Sequence, residues 1–212
     1  MRRLTLLLPP AFALGCEEKS DPASAGGEDT ATTGDTGTVT DSAEPEPARY
    51  GPDNRWYHAE AADVPAGLAG TGTGVGDVAP NFTLLDQDGN EVELYQFYGQ
   101  VVQLVIFAAW CGPCQEEAPA IEAASVDLAD DGVVVLSVMM EDVGGAPPET
   151  DDLMAWVDEY AITHPVLAGP GELAPYINGG YPTLPVIGRD MTIVKGDNFP
   201  FNEGYLSTLA AE

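Results

Sequence analysis

Positive charge is what this chain has least of. Among 212 residues, Lys and Arg number 7 against 35 Asp and Glu, a formal net charge of −28. A surface this acidic repels polyanions, so it excludes nucleic acid as a partner and excludes electrostatic binding to anionic membrane surfaces. Histidine occurs only at His58 and His164, and cysteine only at Cys16, Cys111 and Cys114. Few soft ligands are therefore available for a metal site. The apolar stretch Leu4 to Leu14 is too short to span a bilayer. Between Glu17 and Arg49, Val39 is the sole large apolar residue. Such a segment cannot bury enough surface to offset its chain entropy, and it reads as a disordered acidic tether over 16–49.

What is present begins with an export pattern. Arg2 and Arg3 precede the apolar stretch, and Ala13-Leu14-Gly15-Cys16 follows it. The pattern resembles a bacterial lipobox, with Ala13 where Leu is usual and Pro9-Pro10 inside the apolar stretch. It implies a signal peptide over 1–15, lipidation of Cys16 and a stable membrane anchor. Residues 50–75 form a linker or N-terminal extension. Trp56, Tyr57 and His58 are large enough to pack on a domain. Gly70 to Gly76 matches neither a dinucleotide-binding loop nor a P-loop and reads as a flexible joint.

From Gly76 onward the texture changes. Phe82 to Leu85 and Val92 to Leu94 flank Asp86-Gln-Asp-Gly-Asn90, where Asp88-Gly89 signals a hairpin turn rather than half of a calcium loop. Val101 to Phe107 and Val133 to Met139 are apolar enough for strands buried on both faces. A helical segment, Gln115 to about Asp130, lies between them, which makes a βαβ unit with parallel strands. Leu153, Trp156, Val157 and Tyr160 repeat at helical spacing. Thr183 to Ile187 and Met191 to Lys195 read as short strands, the first carrying Pro185 and therefore a bulge or an edge. Asn202 to Ala211 can form a closing helix. The expected class is α/β, a mixed sheet flanked by helices behind an N-terminal hairpin. His164, before Pro165, reads as a surface or boundary residue.

Trp110-Cys111-Gly112-Pro113-Cys114 sits where the first buried strand meets the helix. At a helix N-terminus, unpaired backbone N–H groups and the helix dipole favour a thiolate at Cys111. The spacing lets Cys114 close a disulfide across one turn, and Pro113 is tolerated in the first turn. By itself the same spacing also suits zinc.

Three motifs together resemble one family. They are Gly76-Asp-Val-Ala-Pro80-Asn-Phe82-Thr-Leu84 with Asp86 and Gly89, Trp110 to Cys114 with Glu117 and Pro119, and Gly180-Tyr181-Pro182-Thr183 with Ile187 and Asp190. From about Gly76 to the C-terminus the chain resembles the thioredoxin-fold, membrane-anchored thiol–disulfide oxidoreductases of the TlpA/ResA type, in the redoxin superfamily. The resemblance implies Cys111 as nucleophile, Cys114 as resolving thiol and Trp110 as shield over the sulfur. It also implies a cis Pro182 against the cysteine pair, with the Tyr181 backbone open to a partner, and Glu117 tuning the cysteines. It implies no cofactor beyond the Cys111–Cys114 disulfide. The expected partners are disulfide-containing envelope proteins and a membrane electron donor. The expected location is the cell envelope, facing the periplasm or extracytoplasmic side, as a lipid-anchored monomer.

Where thioredoxins carry a buried Asp, six residues before the first cysteine, this chain has Val105. That leaves Glu117 or water to move the Cys114 proton. Three rival functions differ in residues. A thiol peroxidase of the peroxiredoxin kind places Thr three residues before its cysteine, where this chain has Ala108. Related copper-delivery proteins use three residues between their cysteines and a distant His. A non-catalytic scaffold has no need of an intact cysteine pair.

Overall fold

The computed structural model describes residues 55–56, 64–169 and 171–212. The expected signal peptide, the Cys16 lipidation site and the tether lie outside the described residues, as do Tyr57 and His58. Among the described residues no helix is long and apolar enough to cross a membrane.

The hairpin forms where its turn chemistry predicts. Strands β1 (Thr83–Leu85) and β2 (Glu91–Glu93) pair antiparallel, Leu84 opposite Val92. Asp86 builds the turn: its Oδ1 accepts from the backbone N–H of Asp88 at 2.9 Å and of Asn90 at 2.8 Å. Gly89 takes φ +78°, a left-handed value that glycine adopts without a Cβ penalty. The indole of Trp56 donates to the buried Asp86 Oδ2 at 2.8 Å, so Trp56 does pack on the domain.

The main sheet follows from two apolar runs. Strands β3 (Val101–Ala108) and β4 (Val133–Glu141) lie parallel at its centre, Val105 opposite Ser137. Helix α1 (Gly112–Asp127) crosses between them. Every residue of β3 is buried, and alternate side chains serve opposite faces. Val102, Leu104 and Ile106 enter the core that includes the hairpin, whereas Val105 and Phe107 enter the core beneath α1. Full burial of one such side chain stabilises by roughly 1.5–3 kcal/mol. Helix α2 (Thr150–Tyr160) buries Leu153 and Trp156 against the second core.

The sheet order is β5-β4-β3-β6-β7, with β5 (Val166–Ala168) parallel to β4, and β6 (Val186–Ile187) and β7 (Ile193–Lys195) antiparallel. Helix α3 (Glu203–Ala210) closes the chain, capped by Asn202, whose side chain accepts from Tyr205 N–H. The mixed α/β class expected from the sequence is the one found.

Four details differ from the sequence expectation. Strand β5 was not foreseen, because three apolar residues carry no periodic signal. Thr183 to Ile187 forms only a two-residue strand, and β6 is internal to the sheet rather than an edge. Pro185 precedes β6, its carbonyl accepts from Leu104 N–H, and the expected bulge falls between Val186 and Ile187. Helix α1 ends at Asp127 instead of about Asp130, with a 3-10 turn at Ala129–Asp131 beyond, while its start at Gly112 puts Cys111 at the N-terminus as expected. Gly70 to Gly76 is not a free joint: Thr71 N–H bonds Val78 O, Gly76 N–H bonds Ile193 O, and Thr73 Oγ1 bonds Pro175 O. A Cβ at Gly70 would overlap the backbone of Pro80.

Candidate active site

The end of β3 places the cysteines. After Ala108 the chain turns through Ala109 and Trp110, and Cys111 becomes the N-cap of α1. Gln115 Nε2 holds this turn by donating to Ala109 O at 2.8 Å. Cys111 and Cys114 are joined by a disulfide with Cα atoms 5.2 Å apart. Cys111 Sγ accepts from Cys114 N–H at 3.2 Å. That backbone donor is one of the orphan N–H groups of the first helical turn, and with the dipole it will favour a thiolate there once the disulfide is reduced. Gly112 and Pro113 are exposed between the two buried cysteines.

Around the disulfide three aromatic and acidic groups converge. Trp110 is 51% exposed, and its ring meets Tyr181 edge to face at 6.0 Å. Trp110 Nε1 donates to Glu141 Oε2 at 2.8 Å, and Tyr181 Oη donates to Glu141 Oε1 at 3.4 Å. Burial first, and then the Glu141 carboxylate, raise the Tyr181 phenol above its usual range, so it stays a donor. The Tyr181–Pro182 bond is cis, as the resemblance implied, and so is Phe199–Pro200, which was not foreseen. Thr183 ties this loop to the sheet through backbone bonds with Ile106 and an Oγ1 bond to Gly180 O. Glu141 went unnoticed in the sequence. The signal that could have found it is positional: it ends a parallel strand beside the one that leads into the cysteines, where sites of α/β sheets gather.

Behind the disulfide lies a small cavity lined by Val105, Cys114, Glu117, Ser137, His164 and Pro182, among others. It offers about 10 Å³ to the centre of a water molecule, close to what one ordered water requires. Glu117 is half-buried, facing this cavity and accepting weakly from Phe201 N–H at 3.4 Å, while Glu116 is exposed. The carboxylate the resemblance assigned to cysteine tuning is thus next to Cys114. Val105 is 5% exposed and brings no proton acceptor.

His164 corrects the sequence reading. It is buried, at 6% exposure, not a surface or boundary residue. Its Nε2 lies 2.8 Å from Ser137 Oγ and its Nδ1 2.8 Å from Glu122 Oε2. Thr163 adds its backbone N–H at 3.0 Å and its hydroxyl at 2.6 Å to the same carboxylate. Burial alone would raise the Glu122 carboxyl, but the hydrogen bonds from His164 and Thr163 and the His164 charge bring it down to about 2. A carboxyl lowered by folding contributes stability above its ordinary value of 4.5 and loses it as pH falls toward about 2. With solvent screening of this partly buried pair, the loss across that window should be about 1–3 kcal/mol. Urea unfolding between pH 7 and pH 2 tests this. Glu122→Gln should be less stable at pH 7 and show a flatter acid limb. An acid limb as steep as that of the unsubstituted protein would exclude Glu122 as its source.

Among the described residues no group of three or more His, Cys, Asp or Glu side chains is placed to hold a metal ion. The pattern of the AhpC/TSA family matches residues 75–195. The thiol-disulfide oxidoreductase ResA of Oceanobacillus iheyensis is 32% identical over 148 residues, covering 65% of this chain and 74% of that protein. ResA of Bacillus anthracis is 28% identical over 124 residues, covering 57% of this chain and 68% of that one. Among solved structures, a thiol:disulfide interchange protein from Bacteroides sp. superposes with a TM-score of 0.53 at 20% identity, over 68% of this chain and 91% of that one. The thioredoxin domain of a thiol-disulfide oxidoreductase from Bacteroides vulgatus does so at 0.50 and 22%, over 57% and 86%. These two likenesses concern the fold, which is thioredoxin-like. Sequence pattern, relatives and a disulfide set at a helix N-terminus agree, and the chain belongs to the AhpC/TSA family, in which it is a thiol–disulfide oxidoreductase.

Proposed function

We propose that this oxidoreductase works as a reductant of disulfides in envelope proteins, anchored to a membrane through a lipid on Cys16. The observation that carries the direction is the acidity around the cysteines: Glu117 faces the cavity beside Cys114, and Glu141 sits under Trp110 and Tyr181. Negative charge near a thiolate disfavours it, so the dithiol form is less stabilised than in strong oxidants with very low thiol pKa values.

The reaction proceeds in two exchanges. The Cys111 thiolate attacks one sulfur of the partner disulfide, the mixed disulfide forms, and the other partner sulfur leaves as a thiolate that takes a proton. Cys114 then loses its proton and attacks Cys111 Sγ. The Cys111–Cys114 bond forms and the second partner sulfur leaves. The partner gains two electrons and two protons, and the protein loses them. No cofactor is needed beyond the cysteine pair. Trp110 and the Tyr181–Pro182 loop supply the exposed surface where a partner backbone can lie. A dithiol of a membrane protein would return the electrons from outside the envelope compartment. The export pattern of 1–15 and the acidic tether support the extracytoplasmic location, and a monomer suffices for the chemistry.

Equilibration with glutathione buffers tests the direction. A reductant should hold a potential well below that of a strong periplasmic oxidant. A value near about −120 mV would reverse the assignment. Insulin-disulfide reduction, run beside peroxide turnover and metal content, separates this reading from a peroxidase or a metal carrier.

A further inference from the structure

The second exchange needs a base for the Cys114 proton, and the position where thioredoxins keep an acid holds Val105. Directly opposite Val105 in the β3–β4 register stands Ser137. We propose that Ser137, His164 and Glu122 form a buried relay that takes up the thiol proton of Cys114 when Cys114 attacks the mixed disulfide. The proposal rests on the thiol–disulfide activity and assigns a route within it.

Geometry supports the route in three ways. Cys114, Ser137 and His164 line the same cavity, whose free space matches about one water. The chain Ser137 Oγ, His164 Nε2, His164 Nδ1, Glu122 Oε2 is continuous, with 2.8 Å at both junctions. Glu122 is anchored by two bonds from Thr163, so it stays in place as the partner of Nδ1.

The protons then balance. Glu122, as carboxylate, keeps a proton on Nδ1, which leaves Nε2 as acceptor of the Ser137 hydroxyl. When Cys114 gives up its proton through the cavity, Ser137 Oγ receives it and passes its own to Nε2. Cys114 becomes a thiolate and His164 an imidazolium paired with Glu122. The imidazolium returns the proton along the same path when the disulfide is next reduced.

The groups facing this unit come from several elements. Helix α1 supplies Glu122, and Glu117 and Cys114 across the cavity. Strand β4 supplies Ser137. The β1–β2 turn supplies the Gln87 amide, which donates to His164 O at 3.4 Å. Besides His164 itself, helix α2 and the loop after it bring only apolar Trp156 and Ile162 to the cavity. Among the described residues, Glu117 is therefore the one competing acid. A Ser–His–Glu order also occurs in hydrolases, but Ser137 is 4% exposed and the cavity has no room for an acyl substrate.

Reduced protein treated with 5,5′-dithiobis(2-nitrobenzoate) separates the steps. Attack by Cys111 releases the first thionitrobenzoate, and resolution by Cys114 releases the second. In Ser137→Ala, the second release should slow about a hundredfold at neutral pH, at the low end of what a positioned base contributes. Its pH profile should move toward that of an unassisted thiol, while the first release is unchanged. Ser137→Thr should restore it, and His164→Asn should match Ser137→Ala. An unchanged second phase in Ser137→Ala overturns the relay, as does a lower melting temperature with an unmoved pH profile. Slowing confined to Glu117→Gln assigns the proton to Glu117 and also overturns it. Because Ser137→Ala removes a single hydroxyl, the test does not depend on His164→Asn folding. If the unsubstituted protein gave no first release, the thiol–disulfide reading itself would fail.

Discussion

Replacing Cys111 with Ser should lower insulin-disulfide reduction at least a thousandfold, to the rate without protein. A hydroxyl at Cys111 cannot become an anion near neutral pH and cannot form a mixed disulfide, so the loss is chemical and not a matter of binding. Cys114→Ser should behave differently. Its Cys111 retains the N-terminal N–H groups of α1 and the dipole. It should therefore react once with a disulfide and stop as a stable mixed disulfide, visible by mass spectrometry. Turnover by Cys111→Ser above a few percent would show that another nucleophile acts. Full turnover by Cys114→Ser would show that resolution is intermolecular. The captured species, isolated from the native envelope, would identify the partner.

The second large effect should come from the core beneath the site. Phe107 is buried in β3, stacks on Trp156 at 4.4 Å, and Trp156 continues onto Tyr160 at 4.4 Å. Phe107→Ala should destabilise the domain by about 3–5 kcal/mol, because it loses both transfer free energy and packing around the vacated volume. The expected fall in melting temperature is about 10–20 °C. Phe107 also lines the cavity with Cys114, so the variant should resolve mixed disulfides abnormally even below its melting point. A change under about 1 kcal/mol by urea unfolding would mean the neighbours collapse into the space. The aromatic row would then be filler instead of a wall of the site.

The sequence by itself determined what local chemistry determines. Asp86 to Asn90 carries turn residues and makes the hairpin. Val101 to Ala108 is apolar at every position but Gln103 and makes a strand covered on both faces. Pro113 sits in the first turn of α1, just beyond the cysteine that caps the helix. Each of these depends on neighbours a few residues away, which is why pattern alone located the cysteine pair at the start of a helix. Tertiary structure decided the surroundings. His164 meets Ser137 across 27 residues and Glu122 across 42, and Trp110 meets Glu141 across 31. No local pattern encodes such pairs. His164 looked like a boundary residue because it precedes a proline and a three-residue apolar run. Strand β5, held by its pairing with β4, draws that run and His164 into the interior. A buried polar side chain must then find partners or lose free energy, and Ser137 and Glu122 are the partners the fold brings to it.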